Sequence, residues 1–159
     1  MAGQNLASTG WDELGELYQQ LVLDHYRNPR NREQVLEPSL EAEEFNPFCG
    51  DMVNLQLRLD DEGRVSLVCT RSDGCSIIQA TASMMGEAIQ GKSLPELEDL
   101  SWRFHSMMRG NQSADWAAEP LGDLESLQVV RRYPVRIKCA LLPWVALEEG
   151  IRRFRSGTA

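Results

Sequence analysis

The sequence predicts an α+β protein, a small antiparallel sheet with helices packed on one face. Three observations carry that expectation. Val53, Leu55, Leu57 and Leu59 alternate with Asn54, Gln56 and Arg58, the period-two pattern of a half-buried strand. After the turn Asp60-Asp61-Glu62-Gly63, residues 65–70 return as its antiparallel partner. Downstream, Ile77, Thr81, Met84, Met85, Ala88 and Ile89 recur at spacings of three and four, the mark of an amphipathic helix. The order is helix, hairpin, then helices, with no repeat and no linker. A chain of 159 residues with 42% hydrophobic content suits a single domain, 1–159, with a real core.

The first residues, 1–11, are small and polar and are expected to be disordered. Over 12–27 a helical face is traced by Leu14, Leu17, Tyr18, Leu21, Val22 and His25, the last a core or rim histidine rather than a ligand. Asn28-Pro29 ends this helix, because the residue before proline is pushed out of the α region. A polar connection follows, with a short strand near 40–45, and residues 47–51 form a tight turn into the first strand of the hairpin. Cys69 falls on the Val65/Leu67 side of the returning strand and reads as core packing.

Asp73-Gly74-Cys75-Ser76 opens the central helix. Ser76 is the expected N-cap and Gly91 the stop. Cys75 then stands at a helix N-terminus, where unpaired N–H groups and the macrodipole favour a thiolate, as a nucleophile or a metal ligand. An inert buried thiol is the alternative. Ser93-Leu94-Pro95-Glu96 has the capping-box pattern and starts a helix ending near Gly110, with His105 off its apolar stripe and solvated. Residues 111–120 are a loop, and Leu121, Leu124, Leu127 and Val130 mark a short helix. The last helix follows Tyr133-Pro134 and runs to about Phe154; within it Pro143 has no N–H for the carbonyl of Cys139, which calls for another partner or a kink.

With 24 acidic and 16 basic side chains the net charge is −8, which argues against nucleic-acid binding. No apolar run reaches the ~18 residues of a membrane span, and the N-terminus lacks a signal pattern, so a cytoplasmic protein is expected. Four cysteines in such a protein point to metal binding or catalysis rather than disulfides. No C-x-x-C pair occurs, so a metal site has to be gathered from distant segments. Cys49, Cys75 and Cys139 each lie at an element boundary, and Cys49 and Asp51 flank Gly50 so that both can turn toward one ion. Three thiolates and a carboxylate suit tetrahedral zinc. Three separately buried cysteines and a turn aspartate are the alternative.

The segments L-D-H-Y-R-N-P-R-N (23–31), N-P-F-C-G-D (46–51), D-G-C-S-I-I-Q-A-T-A-S-M-M (73–85) and P-V-R-I-K-C-A (134–140) resemble, in order, the signature blocks of the IscU/SufU family of iron–sulfur cluster assembly proteins. The resemblance covers the chain from about Leu14 to Leu147 and implies a SufE/IscU-like α+β fold with metal ligands at Cys49, Asp51, Cys75 and Cys139. IscU scaffolds carry a histidine just before the third site cysteine, where this chain has Lys138. They also lack the insertion for which 102–131 has room. Both departures resemble the SufU branch, which implies a Zn2+ site and sulfurtransferase activity beside a SufS-type cysteine desulfurase. Because a lysine ammonium is a poor zinc ligand, Asp51 becomes the natural fourth.

On this resemblance Cys49 is the catalytic residue: a desulfurase side chain replaces it on the metal, and its freed thiolate takes up persulfide sulfur. Arg136 and Lys138 either guide the partner or are ordinary surface charges. Two other roles stay open. One is a scaffold on which a [2Fe–2S] cluster is built from iron on the same residues. The other is a non-enzymatic module with structural zinc.

Overall fold

The computed structural model describes residues 9–47, 50–110 and 121–157, with side chains from residue 15 onward. Its elements are helix α1 (Thr9–Arg27), strands β1 (Leu40–Asn46), β2 (Asp51–Leu59) and β3 (Val65–Asp73), and helices α2 (Ser76–Ala88) and α3 (Leu94–Met108). A 3₁₀ helix (Gly122–Arg132) and helix α4 (Pro134–Ser156) complete them. The strands form one antiparallel sheet in the order β1-β2-β3. The expected hairpin is therefore its β2–β3 half, and the short strand near 40–45 is a full third strand paired along β2 from Leu40↔Leu57 to Asn46↔Asp51.

One sheet face carries Leu40, Leu55, Leu57, Val65 and Val68 into a core shared with Met84, Met85, Phe104, Leu124 and Trp144. Phe104 of α3 and Trp144 of α4 stack with centroids 4.7 Å apart. Burying these two rings stabilises by a few kcal/mol each, on the order of 2–3 kcal/mol. α4 crosses β1 closely at Gly150, where a Cβ would meet Leu40 at 3.1 Å and Ala42 at 3.3 Å. α4 runs on through Pro143 without a break.

The other face of the sheet is covered by the connection between α1 and β1. Val35 N–H donates to Gln56 Oε1 (3.0 Å) and Arg71 Nε to the Arg32 carbonyl (3.1 Å), while Thr70 N–H donates to the Asn31 carbonyl (2.8 Å) along the free edge of β3. Cys69 lies on this face. The register between β2 and β3 slips after Arg58↔Leu67, so that Leu59 meets Val65 and Ser66 is the extra residue of a bulge. The bulge reverses the alternation. Leu67, expected inside with Val65, is 45% exposed, and Cys69 is buried beneath the connection rather than beside Val65. Burial pushes its thiol pKa up, with Arg71 and Arg32 opposing.

Other details also depart from expectation. Leu17, placed on the inward stripe of α1, is 54% exposed. The capping box of α3 is formed, with Ser93 and Glu96 bonded reciprocally. His105 is not solvated: its Nε2 lies 3.2 Å from Glu148 of α4. Leu121, Leu124, Leu127 and Val130 are three apart, the period of a 3₁₀ helix in which i and i+3 eclipse, and all four are buried on one side of it. The loop at 111–120 and the termini 1–8 and 158–159 lie outside the described residues. Among the described residues no helix is long and apolar enough to cross a membrane.

Candidate metal centre

The β2–β3 ladder sets the first contact of the site. Met52 pairs with Asp73, so one step further Asp51 stands opposite Gly74 and beside Cys75. Gly74 has φ +141°, and a Cβ there would lie 2.1 Å from Asp51 Oδ1 and 3.1 Å from its Cα. Only glycine leaves that space. The strand-to-helix corner is fixed from the α2 side as well, because Gln79 Nε2 donates to the Gly74 carbonyl at 3.0 Å.

This geometry aims the backbone N–H of Cys75 at Asp51 Oδ1 (3.3 Å) and brings Cys75 Sγ to 3.7 Å from Asp51 Oδ2. Cys75 itself, not Ser76 as expected, is the N-cap of α2, in an extended conformation and with no side-chain cap bond. Its sulfur therefore remains available. No acidic residue occupies the first turn of α2, so the positive end of the helix dipole faces the site uncompensated by that turn.

Cys139 arrives from the second turn of α4. It is buried with Ala42, Val53, Ile78, Ala82 and Ala146, a small apolar cluster forming the floor beneath the polar atoms. One carboxylate oxygen of Asp51 and the sulfurs of Cys75 and Cys139 all lie within 4.8 Å of one another. Donors on a single tetrahedral ion at 2.0–2.3 Å stand about 3.5–3.8 Å apart. The Cys75–Asp51 separation already matches this, and the widest pair needs to close by about 1 Å.

The electrostatics explain why such a site wants a cation. Asp51 is 2% and Cys139 5% exposed. The Cys139 thiol is pushed far above its ordinary pKa, first by burial and then by its hydrogen bonds with Asp51 and Cys75 and by their negative charge. Without a counter-charge the Cys139 thiol resists ionising. A divalent ion held by these residues would reverse that and supply the positive charge that favours thiolate donors.

Of the sequence-predicted site residues, the structure brings Asp51, Cys75 and Cys139 together. Cys49 lies outside the described residues; after it, Gly50 has φ +77° and donates its N–H to the Asn46 carbonyl (2.8 Å). Lys138 and Arg136 are exposed on the first turns of α4. Sequence reasoning missed the part played by Gly74. Its signal was the glycine between the end of a strand and a cysteine, a place where only a residue without a Cβ lets another chain segment come close.

A three-stranded sheet backed by helices, with thiols from two helix starts and a carboxylate from a strand end, defines an α+β protein built to hold a thiophilic metal. Residues 17–158 match the NifU-like N terminal domain family. The chain belongs to that family. It is 43% identical to the zinc-dependent sulfurtransferase SufU of Bacillus subtilis over 91% of this chain and 95% of that protein. It is 36% identical to the iron–sulfur cluster assembly scaffold protein IscU of Streptococcus pyogenes, over 89% of this chain and 86% of the relative. Among solved structures it is similar to one from Fervidobacterium islandicum, assigned as a SufU-type scaffold for the SUF system, with TM-score 0.75 and 29% identity over 86% of this chain and 97% of the other. The resemblance to the IscU/SufU family and the α+β fold it implied are thus both found.

Proposed function

We propose that this chain is a zinc-dependent sulfurtransferase that accepts sulfur from the persulfide of a SufS-type cysteine desulfurase and supplies it to cytoplasmic iron–sulfur cluster assembly. One observation carries the reading: the Asp51 carboxylate and the Cys75 and Cys139 thiols converge within 4.8 Å, in a chain 43% identical to a protein named for that activity. Cys49 is the fourth ligand in this reading. Zinc, when bound, keeps the thiols deprotonated at neutral pH and tempers their nucleophilicity.

The exchangeable ligand is Cys49. Cys75 and Cys139 are anchored at α2 and in α4, whereas Cys49 directly precedes Gly50, which has the freedom of a positive φ. Released from the metal it would help to hold, the Cys49 thiolate would attack the outer sulfur of the donor persulfide. The new S–S bond forms on Cys49 as the donor's S–S bond breaks. The donor cysteine leaves as a thiolate, and no net oxidation or reduction occurs. Asp51, fixed by the Cys75 N–H, keeps its place throughout. The exposed Arg136 and Lys138 offer cations to the docking partner and to the departing charge.

Metal analysis coupled to a desulfurase turnover assay tests the reading. One zinc per chain with strong stimulation of turnover is expected; zinc without stimulation leaves a structural metal. A scaffold role is favoured by the relatedness to IscU and predicts a [2Fe–2S] absorption spectrum after anaerobic reconstitution. Lys138, standing where the scaffolds of the family resemblance have histidine, counts against it.

A further inference from the structure

A cleft separate from the metal donors lies between α1, the end of α3, the 3₁₀ helix and the start of α4. Its volume is about 450 Å3, within the range of small-molecule sites. Among the described residues its charged lining has one sign: Arg109, Arg131 and Arg132 face it, and none of the described lining residues is acidic. That runs against the rest of a chain with net charge −8. Six other arginines, Arg30, Arg64, Arg103, Arg152, Arg153 and Arg155, each meet a carboxylate, while Arg27, Arg32, Arg58, Arg71 and Arg136 stand outside this cleft. The three cleft arginines form no ion pair with a carboxylate of the described residues.

Two nearby acids among the described residues have partners of their own. Glu125, whose charge is felt by Tyr18 at the cleft wall, accepts the Leu121 N–H at 2.9 Å. Glu148, within reach of the Arg109 charge, accepts the Ser101 hydroxyl and lies 3.2 Å from His105 Nε2. Arg131 is held in place: its Nη1 donates to Gln128 Oε1 at 3.4 Å, and its Nη2 would lie 2.9 Å from a Cβ on Gly110, where φ is +71°. Glycine thus admits a guanidinium flat against the chain. Tyr18, Met108 and Ile137 supply apolar walls.

We propose that this cleft binds a small organic oxyanion, a phosphate ester or polycarboxylate with a flat or apolar body. Arg131 and Arg132 clamp the anionic group through their planar forks, Arg109 stands at the rim, and the body lies against Tyr18 and Ile137. The site is independent of the sulfur-transfer reading, since none of its residues is a donor of the metal centre.

Calorimetric titration of the full, metal-loaded chain with ADP, inorganic pyrophosphate and citrate, each to about 1 mM, tests it at low salt. Saturable binding of at least one probe at one site per chain is expected. Arg131→Gln combined with Arg132→Gln should weaken it about tenfold or more, with metal content and melting temperature unchanged. Should the double variant not fold, Arg132→Gln alone, at an exposed position, serves. ADP binding more tightly than pyrophosphate assigns a phosphate ester whose body uses the walls; citrate binding most tightly assigns a polycarboxylate. Failure of all three probes to saturate overturns the proposal. So does equal weakening by Arg27→Gln, an exposed arginine outside the cleft, because the binding is then diffuse attraction.

Discussion

Gly74 stands opposite Asp51 across the β2–β3 ladder, so close that a single methyl group on Gly74 would overlap the Asp51 carboxylate at 2.1 Å. Strand register thus sets Asp51 beside Cys75, two of the three groups that converge at the candidate site. Gly74→Ala adds both a clash and a backbone strain on the order of 1–3 kcal/mol. The expected outcome is a large loss of bound metal together with a lower melting temperature. Full metal content in this variant would show that the carboxylate holds its place without the glycine.

Cys69 and the site cysteines separate cleanly. Cys69 is 1% exposed on the sheet face under the α1–β1 connection, whereas Cys75 and Cys139 share the donor cluster with Asp51. Cys69→Ser should keep its metal and its activity while costing about 1 kcal/mol from a buried hydroxyl. Cys75→Ser and Cys139→Ser should lose metal and the stability that metal binding adds to the folded state. Elemental analysis and melting with and without chelator check all three.

His25 is a structural histidine. Its Nδ1 shares a hydrogen bond with Ser83 Oγ at 2.8 Å, the same oxygen that accepts the Arg30 N–H at 2.9 Å. Its Nε2 faces Glu87 at 3.6 Å. Burial, followed by the Arg30 charge, lowers the His25 pKa, and Glu87, Asp24 and Asp123 oppose it. A depressed folded-state pKa means that the unfolded chain binds the proton more readily. Stability is therefore full above the unfolded value of about 6.5 and declines as the pH falls below it. His25→Ala should flatten that decline and cost about 1–3 kcal/mol by stranding Ser83, with metal content unchanged. Denaturant titrations at several pH values read both effects.

Strand alternation, the α2 stripe and the α3 capping box were legible because each is a local rule of period or cap. The Ser66 bulge was not: one extra residue inverts the facing of Leu67, and nothing in 65–70 marks it, since apolar residues, Val65 and Val68 on one face and Leu67 and Cys69 on the other, stand on both. His105 misled for a similar reason. Its partner Glu148 is 43 positions away, and helix periodicity says nothing about what packs over a polar face. At the site, the residue types of Asp51, Cys75 and Cys139 pointed to a metal, but their meeting depends on the register that sets Asp51 beside Gly74. Spacing along the chain carries no record of that register.

Cys49 and its two helical neighbours make opposite predictions for sulfur transfer. If Cys49 is the exchangeable ligand, Cys49→Ser should abolish persulfide transfer yet retain part of its zinc, because Asp51, Cys75 and Cys139 still offer three converging donors and water completes a tetrahedral site. Cys139→Ser should instead release the metal, since it removes the donor seated on the apolar floor of Val53 and Ile78. Wild-type protein incubated with a cysteine desulfurase and free cysteine should carry the added sulfur on Cys49. Alkylation of thiols followed by mass spectrometry of peptides locates it. A persulfide found chiefly on Cys75, the more exposed of the two described site thiols, would move the nucleophile to the N-cap of α2 and leave Cys49 as a fixed ligand. No persulfide on any cysteine, with desulfurase turnover unchanged, would remove the transfer reaction and leave zinc as a support of the fold.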